Sequence, residues 1–85
     1  MSTAQIRLYY REGCHLCEEL AGVLYRGWPS RLDHVEWVDV DCSPELIQGY
    51  GSRVPVLEVD GEEVCQFQPD MERLISIFGE PANPV

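Results

Sequence analysis

Residues 5–17 read Gln-Ile-Arg-Leu-Tyr-Tyr-Arg-Glu-Gly-Cys-His-Leu-Cys, and this stretch decides the fold. Gln5 to Tyr10 alternates and is rich in β-formers, the pattern of a strand. Arg11-Glu12-Gly13 breaks it. From Cys14 onward apolar residues recur at Leu16, Leu20, Val23 and Leu24, with Ala21 between, which is helical spacing running to about Arg26. Two cysteines three residues apart thus fall where a strand hands over to a helix. Residues at that spacing share a helix face, within reach of a disulfide. A helix N-terminus offers unpaired N–H groups and partial positive charge, which stabilise a thiolate and lower the thiol pKa. Cys14 is then the nucleophile and Cys17 the resolving thiol: attack on a substrate disulfide forms a mixed disulfide, and Cys17 releases the product. His15, between them, is either a nearby cation for the thiolate or an exposed loop residue.

Working outward, Gly27-Trp28-Pro29-Ser30 stops the first helix. Val35 to Val40 alternates as a second strand. Ser43-Pro44 opens a short helix, Ser as N-cap and Pro at the first helical position, ending near Gly49 to Gly51. Val54 to Val59 is a third strand, Asp60-Gly61 a tight hairpin signal, and Glu63 to Phe67 the returning strand. Pro69-Asp70 opens a last helix carrying Met71, Leu74, Ile75 and Phe78, which Gly79 and Pro81 stop. The order is β-α-β-α-β-β-α. The first βαβ requires a parallel pair and the hairpin an antiparallel one, so an α/β fold with a four-stranded mixed sheet flanked by helices is expected.

The 85 residues form one domain with one core, ordered over about 5–79 and followed by a loose tail. Hydrophobic residues make up 45% and charged residues 25%, an ordinary globular balance. No apolar run is long enough to span a bilayer, and Met1 to Tyr10 lacks the pattern of a secretory signal, so a cytoplasmic location is expected. The net charge of −9 argues against nucleic acid or an anionic membrane as partner. All six cations are Arg, so no lysine chemistry is available.

CxxC is also half of a zinc site. The other candidate ligands, His34, Cys42 and Cys65, are scattered singly, without a second spaced pair, so no metal is expected. Cys42 and Cys65 fit either buried hydrophobes or thiols near the CxxC edge open to a regulatory disulfide or glutathionylation. Tyr9, Tyr10, Trp37 and Phe67 read as core or edge packing. Read alone, Val54-Pro55 is a trans strand-entry proline.

The tyrosine-rich first strand, CxxC, Val-Asp-Val-Asp, Val-Pro, Asp-Gly and the closing amphipathic helix together resemble the glutaredoxins and bacterial glutaredoxin-like proteins, over nearly all of Ile6 to Phe78. The resemblance implies a thioredoxin/glutaredoxin-like fold and thiol–disulfide oxidoreductase activity in cell redox homeostasis, with no bound cofactor and glutathione as a co-substrate. It implies a cis Pro55 facing the dithiol, with the Val54 backbone pairing to bound peptide or glutathione. Arg11 stands where the family has a lysine facing a glutathione carboxylate. Cys65-Gln66 stands where the family has a Gly-Gly pair, so side chains replace bare backbone at the glutathione surface. The implied partners are a disulfide-containing protein or a glutathione mixed disulfide, with glutathione or a thioredoxin reductase as donor to a monomer. A non-catalytic module binding a partner through the thioredoxin-fold edge is the alternative.

Overall fold

The computed structural model describes residues 5–84; the expected domain limits, 1 and 85, fall outside them. Strand β1 (Ile6–Tyr10) runs into the turn that carries Cys14, and α1 (His15–Gly27) runs back. Strand β2 (Val35–Asp39) follows, then α2 (Pro44–Tyr50), the hairpin β3 (Val56–Val59) and β4 (Glu62–Gln66), and α3 (Met71–Phe78). The sheet order is β2-β1-β3-β4, with β1 and β2 parallel and the other pairs antiparallel. This is the expected α/β architecture.

Two apolar layers hold it together. On one face, Ile6, Leu8, Leu57 and Val59 of the sheet meet Leu20 and Leu24 of α1 and Leu74 and Phe78 of α3. On the other, Tyr9, Val40 and Val56 meet Leu46 and Tyr50 of α2. The alternation of side chains along each strand assigns neighbours to opposite layers. Caps fix the shorter helices: Ser43 Oγ accepts from the Leu46 N–H at 3.1 Å, and Asp70 Oδ1 from that of Arg73 at 3.2 Å. In the hairpin, Asp60 and Gly61 both take positive φ, 53° and 83°, as a tight turn between twisted strands requires.

Four local expectations change. Between α1 and β2 the chain is not a plain stop: Pro29–His34 winds as a 3-10 helix that buries Leu32. Strand β3 begins at Val56, because Val54-Pro55 bends into it through a cis peptide bond. The β3–β4 register slips between Leu57 and Glu58, so that Val64 and Cys65 both turn into the core. Past α3 the tail, expected to be loose, lies against the end of α1: Ala82 N–H donates to Gly27 O at 2.6 Å and Asn83 Nδ2 to Arg26 O at 2.9 Å.

Candidate functional site

The turn Arg11-Glu12-Gly13-Cys14 closes with the Cys14 N–H donating to Arg11 O at 3.2 Å, and Gly13 takes φ 74°. This places Cys14 as the N-cap of α1. Cys14 and Cys17 are joined as a disulfide, their Cα atoms 5.2 Å apart. The two sulfurs are not equivalent. Cys14 is half-buried while Cys17 is buried, and the Cys17 N–H donates to Cys14 Sγ at 3.2 Å. That N–H, with the dipole of α1 behind it, would support a thiolate at Cys14 in the reduced protein.

The strand topology brings other elements to the same edge. Tyr9 pairs with Val56, so β3 starts where β1 ends, and Val54-Pro55 stands at the dithiol end of the sheet. Pro55 is fully buried, and neither the N–H nor the C=O of Val54 makes a backbone hydrogen bond among the described residues. Phe67 N–H donates to Pro55 O at 2.9 Å, which carries the Phe67 ring, 42% exposed, to this edge. Its φ of 66° is rare for a bulky residue. Nothing in the sequence marks it, since the positive φ arises from the β4 exit and not from a turn motif.

Other predicted positions fall differently. The Arg11 side chain turns to Asp41, its Nε 3.1 Å from both carboxylate oxygens, and its Nη1 reaches Gly51 O at 3.4 Å. His15 is exposed and reaches Glu19 at 3.4 Å, one helical turn along. Gln66 is exposed, its Oε1 accepting from Arg53 at 3.0 Å. Cys65 is a correction: its side chain is inside the core, so it presents no surface to a substrate. Burial pushes its thiol pKa up, against the pull of the Asp70 backbone N–H. Cys42, by contrast, is exposed at the end of the 3-10 turn Val40–Cys42 that follows β2, which removes the buried reading for that residue. Among the described residues no group of three His, Cys, Asp or Glu side chains is placed to hold a metal ion, and no helix is long and apolar enough to cross a membrane.

A hollow of about 550 Å³ opens beside the disulfide, on the α1 side of the β2 edge. Cys14 and Cys17 form part of its wall, with Tyr10, Ala21 and Trp37 supplying apolar surface and Glu12 and Glu18 carboxylates. Trp37 is 41% exposed, with Tyr10 edge-on at 6.1 Å and Tyr25 roughly parallel at 6.3 Å. Tyr10 and Trp37 pack on each other at the sheet edge, as expected, and they also line this hollow. The signal was the strand order: once β3 takes the other side of β1, β2 becomes an edge that α1 does not fully cover.

The glutaredoxin-like domain (DUF836) matches residues 5–78. The chain belongs to the glutaredoxin-like family. An uncharacterized protein of Mycobacterium tuberculosis is 31% identical, the match covering 98% of this chain and 96% of that protein. Among solved structures, the glutaredoxin-like chain is similar to protein Ne2328 of Nitrosomonas europaea, at 28% identity and TM-score 0.68, covering 92% of this chain and 94% of that one. It is also similar to a thioredoxin mutant from Halobacterium salinarum, at 25% identity and TM-score 0.54, covering 91% and 73%. A glutaredoxin-like thioredoxin fold whose cysteine pair stands at disulfide distance points to redox function.

Proposed function

We propose that this glutaredoxin-like chain is a thiol–disulfide oxidoreductase that works through Cys14 and Cys17. The observation that carries the reading is the asymmetry of the pair: one sulfur is accessible and capped by a backbone N–H, the other sits buried behind it. In the reduced protein the Cys14 thiolate attacks a substrate disulfide and expels one thiol. The Cys17 thiolate then attacks Cys14 Sγ, expels the second and closes the intramolecular disulfide. An external donor returns two electrons and two protons. This dithiol cycle needs no metal or bound cofactor. It belongs to redox homeostasis in a reducing compartment, which we take to be the cytoplasm, with the chain acting as a monomer.

For the donor, a protein reductase of the thioredoxin-reductase kind fits better than glutathione. Arg11, the cation expected for a glutathione carboxylate, is occupied by Asp41. Of the Cys65-Gln66 pair that stands at the family's Gly-Gly position, Gln66 puts an exposed side chain where glutathione would approach bare backbone, and exposed Phe67 follows it. The test is reduction of a small mixed disulfide with glutathione and its reductase, then with thioredoxin reductase, each repeated with Cys14→Ser. The expected result is turnover with the protein reductase, weaker turnover with glutathione, and none in the variant. Equal inertness of wild type and variant with both donors overturns the proposal.

A further inference from the structure

The hollow beside the dithiol has a charge pattern of its own. Arg11, Glu12 and Glu18 are its charged lining residues. Arg11 is paired with Asp41 at 3.1 Å, so its charge is locally balanced. Glu12 and Glu18 make no ion pair and no side-chain hydrogen bond among the described residues, and both are exposed. Glu18 lies in the first turn of α1, where it complements the helix dipole, but that role leaves its outer oxygens free for a second cation. Trp37, its ring 41% exposed, lines the same hollow, and an indole is the best cation–π surface among side chains. Two unpaired carboxylates and an indole thus share one cavity with the reactive sulfurs, and its volume is that of a typical ligand pocket.

We propose that this hollow selects the substrate: a polypeptide disulfide flanked by Arg or Lys, whose cation is held by the Trp37 face and the Glu12 and Glu18 carboxylates while its sulfur meets Cys14. The proposal rests on the dithiol reading above. The transfer balances as stated there. Two protons and two electrons leave the Cys14 and Cys17 thiols and appear on the two thiols of the reduced substrate, and the protein is left as its disulfide. An anionic flanking residue meets the same carboxylates as repulsion, so the site rejects acidic disulfides.

The test is stopped-flow reaction of the reduced protein with the symmetric disulfides of blocked Arg-Cys, Gln-Cys and Glu-Cys dipeptides at low salt. Rates should fall in that order, with roughly tenfold between first and last, as expected for one partly exposed cation–π contact plus screened Coulomb attraction. The Glu12→Gln/Glu18→Gln double variant should bring the Gln-Cys and Glu-Cys rates to within about twofold, the residual expected of distant, screened charges, and leave Arg-Cys only the advantage of the Trp37 contact. A control pair, Glu72→Gln/Glu80→Gln, has the same net charge and exposed sites on and after α3, and should keep the order. Trp37→Leu should slow the Arg-Cys reaction more than the Gln-Cys one. Absence of a preference in the wild type, or its loss in the control pair as fully as in the hollow pair, overturns the proposal and leaves the dithiol reading standing. Failure to reduce even the Gln-Cys disulfide overturns both.

Discussion

Gly13 takes φ 74°, and no atom lies within 4 Å of where a Cβ would be, so conformation and not space demands glycine there. Gly13→Ala should cost about 1 kcal/mol of stability through the left-handed backbone alone. Urea denaturation reads this, and slower reaction of Cys14 should accompany it, because the turn sets where the N-cap stands. The cysteines also separate at this scale. After reduction of the dithiol, iodoacetamide at neutral pH should label Cys14 and Cys42 and leave Cys65 unlabelled until the protein is denatured, which peptide mass spectrometry distinguishes. Burial raises the Cys65 thiol above its unfolded value, so the neutral form is favoured in the folded state. Its contribution is therefore complete below the unfolded pKa and lost as pH climbs through the folded one. Cys65→Ala removes that alkaline component. The reactive pair was legible from its place after Ile6 to Tyr10. The fate of Cys65 was not, because a register slip between β3 and β4 decides it, and a slip leaves no mark in the hydrophobic pattern of Glu63 to Phe67.

Helix α2 shows how an element is held by few contacts. None of its residues is fully buried, yet Tyr50 stacks on Tyr9 at 3.8 Å and donates to Glu58 Oε2 at 3.0 Å. The neighbouring Tyr9 hydroxyl, then desolvation and the Glu58 carboxylate, hold the Tyr50 phenol protonated well above its ordinary range. A raised phenol pKa contributes stability that is complete below the unfolded value near 10 and lost as pH rises toward the folded one. Thermal melts should therefore show a decline above about pH 10 that Tyr50→Phe flattens, while at pH 7 the same variant loses about 1 kcal/mol for the missing hydrogen bond. Ser43-Pro44 announced where this helix starts. The 3-10 helix at Pro29–His34 went unread because six residues without a repeating apolar stripe carry no periodic signal. The cis Pro55 came from the family resemblance, since the dipeptide by itself favours trans.

Across the whole molecule, 15 acidic side chains face 6 arginines, and the ion pairs that do form are partly exposed. Like charges on a domain this small repel within a screening length. Raising salt from about 10 to 150 mM should therefore raise the melting temperature of the oxidised protein by a few degrees. A melting temperature that falls with salt would mean that the arginine pairs outweigh the repulsion. The architecture was readable because strand and helix periods alternate cleanly, and the βαβ handedness rule and the Asp60-Gly61 turn prune the alternatives. The exposure of Trp37 follows only from the assembled sheet order, in which β2 is an edge.

The hydrogen bonds that lay residues 82 and 83 along the end of α1 have a practical side. Strand β1 carries the chain from Gln5 toward Cys14, and α1 returns it to Gly27, where Ala82 is moored. Gln5 and Asn83 therefore both stand at the pole away from the reactive sulfurs. An affinity handle, a sensor surface or a fused domain tethered through either residue starts from the side opposite the sulfurs. The sulfur-bearing pole stays clear for an incoming disulfide.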